Sequence, residues 1–118
     1  MPGSGKISLS NDPLYGLLRE GKIAEFNAKK AAGAKPDLTA CDFRNVDLRG
    51  LDAGGLDFSH CYFRQADLRG VDFRESCLEG ASLNDAKISG AYFHPPLPAE
   101  EINLSMTHGT RMRYRSSG

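Results

Sequence analysis

From Pro36 onward the apolar positions recur every five residues. Leu38, Phe43, Leu48, Phe58, Phe63, Leu68, Phe73, Leu78, Leu83, Ile88 and Phe93 are the centres of eleven of twelve consecutive blocks, and Ala53 is the centre of the other. Asp precedes the centre in seven blocks, at Asp37, Asp42, Asp47, Asp52, Asp57, Asp67 and Asp72. A small or aliphatic residue stands two before it, as at Cys41, Val46, Cys61, Ala66, Val71 and Ala81, and Gly closes five blocks, at Gly50, Gly55, Gly70, Gly80 and Gly90. Five residues of α-helix advance about 500°, which scatters the centres around the axis. A flat strand sends successive centres to opposite faces. A chain that keeps them all on one side must turn once per block, and the closing glycines suit tight turns with positive φ. The pattern predicts stacked coils around an inner column of Leu and Phe, with neighbouring backbones about 4.8 Å apart. One coil cannot bury this column alone, so the coils must stack.

The pattern changes at both ends. Asp12-Pro13 reads as a helix N-cap and first turn, with Leu14, Leu17 and Leu18 on one face. Gly21 ends or kinks that helix. Ile23, Phe26 and the Ala31-Ala32 pair predict a second helical face, stopped by Gly33 and Pro36. Beyond the blocks, Pro98-Ala99-Glu100-Glu101 opens a short helix with acids at its positive end, and Gly109 closes it. Ile102 and Met106 should cover the open end of the last coil. The division expected is a flexible 1–10, a helical cap over 11–35, twelve blocks over 36–95, and a capping helix with a basic tail over 96–118.

The blocks Cys41-Asp42-Phe43-Arg44-Asn45, Ala66-Asp67-Leu68-Arg69-Gly70 and Val71-Asp72-Phe73-Arg74-Glu75 resemble the repeat of the pentapeptide-repeat family. The resemblance covers about half the chain, and the leading helices are similar to those of small bacterial members. It implies a mainly β fold, a right-handed quadrilateral β-helix with four blocks per coil, hence a solenoid of about three coils flanked by short helical caps. Residues 20 apart should then stack: Phe43 with Phe63 and Leu83, Leu48 with Leu68 and Ile88, and Ala53 with Phe73 and Phe93, with Leu51 near the space that Ala53 leaves.

Lys+Arg and Asp+Glu both number 15, so the chain has no net charge to draw in nucleic acid or acidic lipid. Locally the balance differs: residues 36–95 hold six basic and ten acidic side chains. No apolar run is long enough to span a membrane, and the Gly/Ser-rich start lacks the apolar stretch of a signal peptide. Three cysteines in no metal-binding spacing fit a cytoplasmic protein.

Chemistry-bearing residues are few. Cys41 and Cys61 should stack, but at a separation longer than a disulfide prefers, so free thiols are expected. Cys77 stands in an outward slot. His60, His94 and His108 have no thiol or carboxylate at ligand spacing. No catalytic residue, cofactor site or metal site is expected. Arg44, Arg49, Arg64, Arg69 and Arg74 each follow a block centre, two positions after an outward slot that is Asp in every case but Tyr62. They form either ion-paired ladders or a face of ordered guanidinium groups for a carboxylate-rich or phosphate partner. The tail Arg111-Met112-Arg113-Tyr114-Arg115 either packs back on a side face or, left free, forms a contact patch for a second copy or another partner. On the second course, loss of 110–118 leaves the fold intact.

The function expected is a non-enzymatic binding or scaffold protein whose partner is another protein, with a homodimer as one form of such an interaction. Two alternatives are a DNA mimic acting on a type II topoisomerase, which the resemblance implies, and a weak nucleic-acid binder using the Arg rows and the tail. The short rod and its interleaved Asp and Arg count against the first, and the zero net charge and lack of repeated stacking aromatics count against the second.

Overall fold

The computed structural model describes residues 12–114; the segment 1–10, expected to be flexible, and Arg115 lie outside the described residues. Each block is built by a turn. The carbonyl of the central residue accepts the N–H three residues on, as from Val46 N to Phe43 O (3.2 Å) and Ala66 N to Phe63 O (2.9 Å). The closing residue has positive φ at Ala40, Asn45, Gly50, Gly55, His60, Gln65, Gly70, Gly80, Asp85 and Gly90, the signature of a type II turn. Half of these closers are not glycine. Asn45 and Asp85 suit the left-handed region, whereas Ala40, His60 and Gln65 adopt it at a cost in backbone energy.

After four blocks the backbone passes over itself. Phe43 N donates to Tyr62 O (2.8 Å), Phe63 N to Ser82 O (2.9 Å), and Tyr62 N back to Cys41 O (3.1 Å). Six isolated parallel bridges mark the same offset of 20, among them Asp42 with Tyr62 and Tyr62 with Ser82.

The expected mainly β fold is overturned at this point. Among the described residues there are three helices and no strand or sheet, so the right-handed quadrilateral β-helix is not the architecture seen. The reason lies in the block itself. A turn every five residues leaves one bridging residue between turns, and a strand needs consecutive ones. The result is stacked tiers joined by single bridges and turn hydrogen bonds.

The inner column is closely packed. Phe43 and Phe63 stack with centroids 5.4 Å apart and planes 9° from parallel, and Phe73 and Phe93 stack at 5.9 Å. Leu38, Leu48, Phe58, Leu68, Leu78 and Leu83 are buried with them. Ile88 and Phe93, expected in the core, are only partly buried. They lie beyond the part of the last tier that the tail covers. Ala53 is buried beside Leu51, and next to it a groove of 680 Å³ opens between Gly54, Asp72, Glu75 and His94.

Helices close both ends by supplying the hydrogen bonds that a further tier would make. At the first end, α1 (Pro13–Arg19) is capped by Asp12, whose carboxylate accepts Leu14 N and Asp37 N. Gly21, at φ 77°, separates it from α2 (Ile23–Ala31). Tyr15 Oη donates to Asp42 O (2.7 Å), Arg19 Nη1 to Arg44 O (3.0 Å) and Asn27 Nδ2 to Gly50 O (3.0 Å). One tier up, the matching carbonyls of Tyr62 and Arg64 accept backbone N–H groups from Phe43 and Asn45. Tyr15, Leu18 and Phe26 are buried under the first tier, while the Ala31-Ala32 pair is exposed.

The other end mirrors this. α3 (Ala99–His108) ends at Gly109, φ 71°, and the chain then returns across the last tier. Leu83 N donates to Ser105 Oγ (2.8 Å) and Leu78 N to Tyr114 Oη (2.8 Å). Gly80 N donates to Met112 O (2.7 Å) and Asp85 N to Met106 O (3.1 Å). Ile102 and Met106 pack against the core as expected, but Ser105 is the fully buried residue of this helix. Met112 is fully buried and Tyr114 partly so, which removes the free contact patch considered for this tail.

Candidate functional site

Seven outward Asp residues share one local arrangement. Asp37, Asp42, Asp47, Asp52, Asp57, Asp67 and Asp72 each accept the backbone N–H two residues on. This is the Asx turn that short acidic side chains form, and it braces the block turn that follows each of these seven residues. Where the residue two on is Arg, its guanidinium closes on the same carboxylate through two parallel bonds. Arg44 Nε and Nη2 reach the two oxygens of Asp42, each at 2.8 Å. Arg49 does the same to Asp47, Arg69 to Asp67 and Arg74 to Asp72, with Nη2 distances of 2.7, 2.6 and 2.8 Å. One contact crosses tiers, from Arg49 Nε to Asp67 Oδ2 at 3.3 Å.

The pairing shows in the acidities. The hydrogen bonds from Arg69 hold the Asp67 carboxyl down at about 2, and those from Arg74 hold Asp72 at about 2. Arg44 and Arg49 lower Asp42 and Asp47 in the same way, and all four arginines are pushed above their ordinary value. These are the ion-paired ladders rather than a row of open guanidinium groups.

Arg64 departs from this pattern. Its outward slot holds Tyr62, so the block has no carboxylate, and among the described residues the Arg64 side chain makes no ion pair or hydrogen bond. Tyr62 turns instead to the tail: Arg111 lies over its ring, 5.4 Å from the centroid, and Arg111 Nη2 donates to its hydroxyl. Arg74 lies over Tyr92 in a similar way, at 4.7 Å. Arg113 is exposed, and its backbone N–H donates to Glu101 Oε1. The structure thus joins Arg44, Arg64 and Arg111 on one face with Tyr62. Met112 and Tyr114 belong to the packing, and Arg115 falls outside the described residues.

The remaining candidates are structural. Cys41 and Cys61 are buried free thiols. Burial pushes Cys41 up to about 11 and Cys61 further still. Cys77 is half-buried, with its Sγ 3.1 Å from Ser59 Oγ. The His60 ring lies against Gly80, and His94 stacks on Tyr114 at 5.3 Å. Among the described residues no three His, Cys, Asp or Glu side chains could together hold a metal ion. Reading the sequence missed Tyr15, Arg19 and Asn27, whose hydrogen bonds reach 23 to 27 residues along the chain. It did register Tyr62 as the odd outward slot.

A recurrence of 20 residues, with turns braced by their own side chains, defines a repeat protein. The family model for pentapeptide repeats, in eight copies, matches residues 41–80 and 66–94. Over that stretch the chain belongs to the pentapeptide-repeat family. No curated protein and no solved structure matches it. No helix among the described residues is long and apolar enough to cross a membrane.

Proposed function

We propose that the chain is a non-enzymatic binding or scaffold protein whose partner is another protein. What carries this reading is the use the repeats make of their own reactive groups. All seven block aspartates serve as turn acceptors, and four of the five block arginines are spent on them. The stack therefore offers fixed rows of side chains in a set register, suited to docking rather than to chemistry. The same pairing weighs against a DNA mimic, which needs uncompensated carboxylates, and against nucleic-acid binding through the Arg rows, which needs free cations. A homodimer through the tail loses its support, because Met112 is buried. The free cysteines suit a reducing compartment, and the cytoplasm is the proposed location.

The test is in-cell crosslinking of the tagged full chain, followed by mass spectrometry, beside DNA-shift and supercoiling assays. One protein recovered in near-equal amount, with both DNA assays silent, supports the reading. A salt-dependent DNA shift or an inhibition of supercoiling would replace it.

A further inference from the structure

We propose that Arg64 is the anchor of a carboxylate-binding site, and that the protein partner presents an acidic side chain to it. The proposal rests on the protein-binding reading above and gives the partner a chemistry. Four sister blocks reveal what a guanidinium in this position does. In each, Nε and Nη2 grip both oxygens of one carboxylate side by side at 2.6 to 3.0 Å. The carboxylate always comes from two residues before. In the block 61–65 that residue is Tyr62, and its hydroxyl is taken by Arg111. Arg64 therefore stands in the repeat's register with its carboxylate missing.

The surroundings favour an anion from outside. Arg64 lies between two surface depressions, one of 380 Å³ shared with Arg44, Ser82, Asn84 and His108, the other of 340 Å³ shared with Arg19, Asp42 and Gln65. The Asp42 carboxylate is already closed by Arg44. Arg19 and Arg111 add positive charge, and neither makes an ion pair among the described residues. Bidentate capture suits the planar carboxylate that the sister blocks already bind.

The experiment titrates isotope-labelled full-length protein with a hexaglutamate peptide and, separately, with inorganic phosphate, while following the Arg64 Nε–H resonance. Hexaglutamate should shift that resonance saturably. Arg64→Gln should weaken binding at least roughly tenfold, as expected for loss of a charge-assisted pair. Tyr62→Asp should weaken it as much, by restoring the block's own carboxylate to Arg64, while the melting curve stays cooperative. Arg74→Gln, in a closed pair, should leave binding unchanged. Peptide binding that survives Tyr62→Asp, shifts spread evenly over all arginines, or a preference of Arg64 for phosphate would each overturn the proposal. If Arg64→Gln still captures the crosslinked partner undiminished, this site falls and the binding reading stands.

Discussion

At the scale of single residues, the Asp of the seven blocks that carry one can have two tasks that look alike in sequence. Its carboxylate braces a turn through a backbone N–H, and in four blocks it also neutralises an arginine. Both need the ionised form, so acid should weaken the fold. Asp67 and Asp72 are held at about 2, below the ordinary carboxylate near 3.9. A depressed folded value means that the stabilisation is complete above about pH 4 and is lost as the pH falls toward about 2. The pairs are exposed, so each contributes little, but they act together. Thermal melts should fall steadily between pH 4 and pH 2, and the fall should be shallower in an Arg69→Ala, Arg74→Ala double variant. A flat profile would mean that the pairs do not survive in solution. In the core, Phe63 is fully buried and stacked on Phe43, so Phe63→Ala should cost about 3–5 kcal/mol by chemical denaturation.

Gly80 is the residue whose identity is most tightly determined. Its φ of 76° disfavours any side chain, and an added Cβ would fall 2.3 Å from His60 Nδ1. Gly80→Ala should destabilise by at least about 1–2 kcal/mol from the backbone alone. Adding His60→Ala should recover the steric part and leave the backbone part.

At the scale of elements, both ends solve one problem. Each end tier leaves backbone carbonyls and N–H groups without the partners that a further tier would supply. The first end receives donors from Tyr15, Arg19 and Asn27 and acceptors from Asp12 and Asn27; the last receives acceptors from Ser105, Met106, Met112 and Tyr114 and a donor from Met112 N to Ala81 O. The tail is thus part of the fold. Deleting 110–118 should lower the melting temperature clearly and expose the Leu78 and Gly80 amides to hydrogen exchange, contrary to the expectation that the tail is dispensable. Tyr114→Phe is the milder probe: it removes the acceptor for Leu78 N and should cost about 1–3 kcal/mol. Equal exchange rates in wild type and the truncation would return the tail to the role of a free segment.

At the scale of the whole molecule, the helices and the tail cover the centres from Leu38 to Leu83. The thiols report on that cover. Unfolded protein should titrate three free thiols without reductant, since all three cysteines are unbridged. In the folded state Cys77 should react with an aromatic disulfide reagent first, and Cys41 and Cys61 only as fast as the chain opens. Prompt reaction of all three would mean that the tiers breathe apart.

The repeat was legible because its period is local. Every fifth residue faces inward, seven of the twelve blocks carry their own turn acceptor, and an odd period excludes both helix and flat strand whatever lies elsewhere. The buried centres from Leu38 to Leu83 followed from that; the offset of 20 was implied by the resemblance to pentapeptide repeats, and the helices at both ends were read from their own caps and apolar faces. Tyr62 also stood out, as the single outward slot before an arginine without a carboxylate. Two kinds of feature were settled only by the tertiary structure. The mainly β fold failed because backbone pairing between tiers depends on how far the turns let each extended stretch run, and here they leave single bridges. The fate of Met112 and Tyr114 turned on which backbone groups the last tier left open, and no spacing in the tail encodes that. Arg64 differs from its sisters in sequence by Tyr62 in place of Asp; that no other group takes the place of that carboxylate became visible only when Arg111, 47 positions on, was found holding Tyr62. Local periodicity settles what each block does, and long-range hydrogen bonds decide where the pattern stops.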